Sequence, residues 1–178
     1  MHQPERLARV ELRASLHVTA RRAKRRAVLN VMFQPELLLI REIKPEDVHV
    51  LKDIYLQTRA ENFQWLNETD LKVGDFEGDT EGEKIWVAEL HGQVVGFISV
   101  WEPDNFIHHL FVLPKFSGKK IGSALLATCL EIIGRPAQLK CVSANSGALR
   151  FYRAKGWQTI SRGVSSDGEY QLMQINET

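Results

Sequence analysis

Cysteine is scarce in this chain: Cys129 and Cys141 are the only two among 178 residues. Two thiols without motif spacing exclude a disulfide framework and a cysteine zinc site, and they point to a reducing, cytoplasmic compartment. Long hydrophobic runs are missing as well. No apolar stretch approaches the roughly 18 residues that a membrane-spanning helix needs, so no membrane partner is expected. Neither phosphate-binding fingerprint, GxxxxGK[ST] or GxGxxG, occurs, which sets aside the nucleotide sites those patterns build. His108 and His109 have no third ligand at a telling spacing, so no metal is expected.

What is present is an ordinary globular composition, 44% hydrophobic and 25% charged, on a chain long enough for one domain with a substantial core. The net charge of +1 hides an uneven distribution. Residues 1–31 carry Arg6, Arg9, Arg13, Arg21, Arg22, Lys24, Arg25 and Arg26 against Glu5 and Glu11, which leaves 15 basic and 20 acidic side chains for the rest. This basic N-terminal extension, helical or disordered, admits three readings. It contacts nucleic acid or another acidic surface through charge, it is an Arg-rich targeting segment, or it is a dispensable extension before a folded unit spanning residues 32–178. The third is favoured: no signal-peptide apolar core is visible, and "TARRAKRRA" alone does not specify nucleic acid.

The body alternates between two periods. "LLLIREI" (Leu37–Ile43) reads as a strand, and "KPEDVHVLKDIYLQT" as a helix with Pro45 at its first position and Glu46 and Asp47 at the positive end of its dipole. After an aromatic and acidic stretch, "KIWVAEL" and "VVGFISVW" form a hairpin across "HGQ", and "FIHHLFVLP" is a third β segment. Ile121, Leu125, Cys129 and Ile132/Ile133 repeat at helical spacing up to Gly134. "AQLKCVS" is a strand. "NSGALRFYRAKG" is a short helix with Asn145 or Ser146 as N-cap and Gly156 as its stop. "WQTISRGVSSDGEYQLMQIN" is a hairpin around Asp167 and Gly168. The predicted order is β-α-(α)-β-β-β-α-β-α-β-β, one α/β domain with a mixed sheet.

"PKFSGKKIGSALL", between the third of these strands and its helix, is a ready anion site. The first N–H groups of a helix lack internal partners and the dipole adds roughly +0.5 charge there. Gly118 and Gly122 allow close backbone approach, and Lys119 and Lys120 add positive charge. A phosphate group fits; so does a plain tight turn with no ligand.

"LFVLPKFSGKKIGSALL" followed by "NSGALRFYRAKGW" resembles the GCN5-related N-acetyltransferase (GNAT) family. That signature is a strand ending near V-x-P, then Q/R-x-x-G-x-G/A opening a helix, and later N-x-x-A-x-x-F-Y-x-x-x-G-F/W. Val112 and Pro114 match the first part, and Asn145, Ala148, Phe151, Tyr152, Gly156 and Trp157 match the second without a break. Two positions depart: Ser117 stands where the family has Gln or Arg, and Lys120 where it has glycine. An ordinary backbone is expected at Lys120, since positive φ costs an L-residue about 1–2 kcal/mol.

The resemblance implies a mostly antiparallel central sheet flanked by helices, and transfer of an acetyl group from acetyl-CoA to an amine acceptor. It implies that the diphosphate of the cosubstrate sits on the N–H groups from Ser117 through Gly118, Lys119, Lys120, Ile121 and Gly122 to Ser123. The pantetheine arm would run along Leu110, Phe111 and Val112. Tyr152 matches the general acid, and Asn145 is expected to contact the cosubstrate, a role compatible with capping. A homodimer is also plausible from the family.

The acceptor amine must first lose a proton, which for a lysine-like group costs about 4–5 kcal/mol at pH 7. The family often places a carboxylate on the strand Phe106–Val112, and this chain has none there. Its histidines suit base duty near neutrality. Neighbours on a strand face opposite ways, so at most one should enter the cleft; His108 is favoured, with His109, Glu102 or a water chain as alternatives. Phe63, Trp65 and Phe76 could wall an acceptor pocket and Glu61, Glu68, Asp70 and Asp75 attract a cation, or they could simply be core and solvated surface. Ser117 and Lys120 leave one competing function, a catalytically weak acyl-CoA-binding module.

Overall fold

Apolar β-formers fill "KIWVAEL" and "QVVGFISVW", which in the computed structural model are β2 (Lys84–Leu90) and β3 (Gln93–Trp101). The structure describes residues 37–62, 75–166 and 168–177. The readings of the extension at 1–31, of a start at Met32, of Phe63, Trp65, Glu68 and Asp70, and of Asp167 lie outside the described residues.

Most of β2 and β3 is buried on both faces, which explains why both read as near-continuous apolar runs. His91 and Gly92 join them with φ of 51° and 79°, the left-handed pair that matches a two-residue hairpin to strand twist. β1 (Leu38–Glu42) adds to the outer edge of β2, and β4 (Phe106–Val112) to β3, both antiparallel. β5 (Ala137–Val142) runs parallel to β4, followed in space by β7 (Gly168–Ile175) and β6 (Gln158–Ser165). Among the described residues the seven-stranded order is β1-β2-β3-β4-β5-β7-β6, with β4–β5 the one parallel pair. Gly96 in β3 is needed as glycine: a Cβ there would stand 2.7 Å from the carbonyl oxygen of Phe111 in β4.

Among the described residues, four helices cover the two faces. α1 (Val48–Asn62), opened by a 3-10 turn at Pro45–Asp47, and the short α2 (Asp75–Asp79) lie on one side. Leu51, Ile54, Tyr55 and Phe76 pack there against Val87 and Phe97. α3 (Ile121–Ile133) and α4 (Ser146–Arg153) lie on the other, where Ile121, Leu125, Cys129, Tyr152 and Trp157 join Ile98, Ile107, Leu139 and Met173. Asp47 ties the first turn to β1: its carboxylate accepts from Arg41 at 2.7 Å and from the Lys44 N–H at 2.8 Å. The expected element order therefore holds throughout, with a 3-10 first turn where a regular helix start was expected.

Candidate active site

The pairing of β4 with β5 stops after two residue pairs, Phe106 with Gln138 and Ile107 with Leu139. Past Ile107, β4 continues along β3 and β5 continues along β7, so the sheet opens as a wedge. The cause lies in β4. Ser99 and Val100 of β3 face His109 and Ile107, which leaves His108 as an extra, bulged residue. A bulge bends its strand and adds local twist, and this one falls where β4 leaves β5.

A cavity of about 540 Å³ fills the wedge. His108, His109, Leu110 and Phe111 line it from β4, Lys140, Cys141 and Val142 from β5, and Asn145, Ala148 and Tyr152 from α4 and its cap. Arg59 of α1, Asp75 and Asp79 of α2, and Ser165 and Tyr170 of the last hairpin also border it. Seven of the predicted residues, Tyr152, His108, His109, Leu110, Phe111, Asn145 and Asp75, thus share one space. Glu102 does not; it sits in an exposed 3-10 turn. Nor does Phe76, which is core, or the exposed Glu61.

Val112, Ser117, Gly118, Lys119, Lys120, Ile121, Gly122 and Ser123 lie outside the cavity lining, where β4 passes into α3. The Ser117 N–H already donates to the Pro114 carbonyl at 2.9 Å. Lys120 adopts φ 62° and ψ 10°, so the ordinary backbone expected there is wrong; it takes the left-handed conformation in which glycine is at ease. The chain reverses here, and the next residue, Ile121, is anchored in the core at 2% exposure. Burying an isoleucine contributes about 1.5–3 kcal/mol, enough to offset a strain of about 1–2 kcal/mol. Lys120→Gly should accordingly be about 0.5–1 kcal/mol more stable than Lys120→Ala. Urea unfolding of the two variants measures this, and equal midpoints would deny strain at this residue.

α3 has no side-chain cap. Its first helical bond runs from the Ala124 N–H to the Lys120 carbonyl at 3.0 Å, so the N–H groups of Ile121, Gly122 and Ser123 precede the ladder and carry the positive end of the dipole. α4 differs: Asn145 Oδ1 accepts from the Ala148 N–H at 3.0 Å, which settles the N-cap on Asn145. A Cβ on Gly122 would stand 3.8 Å from both Val112 and Phe151; the end of β4, the start of α3 and α4 meet at that glycine.

Tyr152 is buried, its ring edge-on to Trp157 with centroids 5.8 Å apart. Burial pushes its hydroxyl well above the ordinary tyrosine value, and the nearby Cys141 adds to this. Both histidines border the cavity, contrary to the expectation from strand alternation, because the bulge breaks the alternation. They share a partner that sequence reasoning missed. Glu83, the residue before β2, has a side chain only 3% exposed, and its Oε1 is hydrogen-bonded to Nδ1 of His108. Nδ1 of His109 lies 3.8 Å from Glu83 Oε2 and 2.8 Å from Ser99 Oγ. Burial acts to raise the Glu83 carboxyl, but His108, His109 and Ser99 outweigh it and hold it at about 2. No sequence signal singled out Glu83; β2, which it precedes, stands two positions from β4 in the sheet.

On the other side of His109 stands Tyr55, with ring centroids 5.7 Å apart. The Tyr55 hydroxyl bonds to Asp79 and accepts from Arg59. Among the described residues no group of three or more His, Cys, Asp or Glu is arranged to hold a metal ion, and no helix is long and apolar enough to cross a membrane.

An acetyltransferase (GNAT) domain family matches residues 81–159. The chain is 29% identical over 144 residues to an uncharacterized N-acetyltransferase of Archaeoglobus fulgidus, covering 71% of this chain and 97% of that protein. It is 32% identical over 75 residues to the peptidyl-lysine N-acetyltransferase YiaC of Escherichia coli, covering 42% of this chain and 50% of that one. Its fold is similar to that of the PaiA N-acetyltransferase from Thermoplasma acidophilum in complex with coenzyme A, with a TM-score of 0.67 at 17% identity over 79% of this chain and 99% of the other.

Proposed function

The chain belongs to the GCN5-related N-acetyltransferase family of acetyl-CoA-dependent acetyltransferases, and from that premise we propose that it acetylates a primary amine of a small molecule or peptide by direct attack, with Tyr152 as general acid and His108 as general base. The observation that carries this reading is the wedge between β4 and β5, which brings His108 on one wall and Tyr152 on another to a single cavity.

The residues present fit the cosubstrate. The N–H groups of Ile121, Gly122 and Ser123 would hold its diphosphate, with Gly118, Lys119 and Lys120 beside them. Leu110, Phe111 and Val112 offer an extended segment that diverges from β5, suited to an extended pantetheine arm, and the Asn145 amide keeps its N–H donors after capping. Bound acetyl-CoA supplies a thioester carbonyl open to attack. The acceptor arrives as an ammonium group, and His108 Nε2 takes the proton whose removal costs about 4–5 kcal/mol at pH 7. As the C–N bond forms and the C–S bond breaks, the Tyr152 hydroxyl gives its proton to the departing sulfur, and the proton that the new amide nitrogen sheds returns the tyrosine to its neutral form. A main-chain N–H on the β4 wall can donate to the carbonyl oxygen as charge develops there.

The likeness to a peptidyl-lysine N-acetyltransferase supports a primary amine as acceptor. The free thiols of Cys129 and Cys141 suit a reducing cytoplasm. The catalytic domain is assigned to residues 32–178, preceded by the basic extension. Calorimetry with acetyl-CoA, followed by thiol release across a panel of polyamines and lysine peptides, tests the function. Binding heat and thiol release with one amine class are expected. Binding without release from any amine would make the protein an acyl-CoA-binding module, and absence of binding heat would overturn the reading altogether.

A further inference from the structure

We infer that Glu83 is a positioning residue for the reaction: its buried carboxylate holds His108 with Nδ1–H directed inward, so that Nε2 stays unprotonated as the acceptor of the substrate's proton. The inference rests on His108 being the base.

Three independent features converge on this carboxylate. The first is the backbone. Glu83 closes a turn in which its N–H donates to the Thr80 carbonyl at 3.1 Å, and Gly82 before it takes a φ of 77° with Trp101 packed where a Cβ would point. The Glu83 side chain is therefore delivered from a set main-chain position. The second is the bulge. A regular strand would send His108 and His109 to opposite faces; the extra residue at His108 lets two consecutive imidazoles turn Nδ1 toward the same acid. The third is the state of the acid itself. Glu83 Oε2 is buried and has no partner at hydrogen-bond length. Burying a carboxylate is costly unless it is paired or hydrogen-bonded, and here the groups beside it are imidazoles bordering the reaction cavity.

The chemistry follows from the two nitrogens of imidazole. When one carries the proton in a hydrogen bond, the other is left as an acceptor. A carboxylate accepts only, so Glu83 selects the Nδ1–H form of His108. His109 has Ser99 Oγ on its Nδ1 and is held edge-on by Tyr55 and Phe111. The other charged or titratable groups bordering the cavity are Arg59 of α1, Asp75 and Asp79 of α2, Lys140 and Cys141 of β5, Tyr152 of α4 and Tyr170 of β7.

The test uses the full-length chain with acetyl-CoA and the best amine from the panel. Glu83→Gln should lower kcat about ten- to thirtyfold with KM for acetyl-CoA within about twofold, flatten the acidic limb of the pH–rate profile, and cost little further in a His108→Gln background. Glu83→Asp should recover part of the loss. Nitrogen-15 spectra of histidine-labelled wild-type protein should show neutral His108 as the Nδ1–H tautomer, and Glu83→Gln should shift it toward Nε2–H. An Nε2–H tautomer in wild type overturns the inference whether or not any variant folds. Wild-type turnover and pH profile in Glu83→Gln, with His108→Gln impaired, overturn the role of Glu83 alone. Wild-type turnover in His108→Gln removes the base assignment on which it stands.

Discussion

Tyr152→Phe should reduce kcat by about 10²–10³-fold while changing KM for acetyl-CoA by less than about twofold. The substitution deletes one oxygen and keeps the ring that packs on Phe151 and Trp157, so the melting temperature should hardly move and the kinetic loss reports chemistry. Tyr152 borders the cavity shared with His108. Its raised pKa, caused first by burial, keeps it protonated. A proton donor is needed in its neutral form, and a raised pKa extends that form to higher pH. The wild-type profile should therefore show no loss from tyrosine ionisation up to about pH 10, the ordinary value for the group. Thiol-release kinetics of the two proteins across pH decide the matter. A variant within about threefold of wild-type kcat would remove Tyr152 from the proton transfer and turn attention to solvent.

Ser123→Asp should weaken acetyl-CoA binding about 30- to 100-fold without destabilising the protein. Ser123 stands at the third position of α3, where no side chain caps the helix and the free N–H groups are those proposed to receive the diphosphate. An aspartate there would both occupy those donors and repel the ligand. One unit charge about 5–6 Å from another at an effective dielectric near 20 is worth about 3 kcal/mol, reduced by salt to the range above. The same carboxylate favours the helix by about 0.3–1 kcal/mol through the dipole. Binding and stability are thus expected to move in opposite directions, a pattern that misfolding cannot mimic. Calorimetry with coenzyme A at two salt concentrations, beside urea unfolding, measures both. Unchanged affinity in the variant would place the diphosphate elsewhere.

These effects act on parts of the site that differ in how readable they were. Tyr152 and Asn145 were found because "NSGALRFYRAKGW" is one short helix with its cap and stop, and every residue in it owes its place to neighbours a turn away. The glycine turn before α3 was legible for the same reason. Lys120 was misjudged because its left-handed backbone is imposed by the reversal into α3 and the seating of Ile121 in the core, neither of which is a local preference of lysine. The histidines were noticed, but the rule that only one could face the cleft assumed a regular strand.

The sequence by itself determined the element order, the glycine turn before an uncapped helix and the helix bearing Tyr152, because period, cap and turn chemistry act over a few residues. The tertiary structure alone decided that β4 bulges at His108, that β4 and β5 part after Ile107, and that Glu83 meets an imidazole 25 residues away. A bulge exists only relative to the register of a partner strand, and a buried acid acquires its role only from what the sheet places beside it. Those are properties of pairing between distant segments, and no local pattern encodes them.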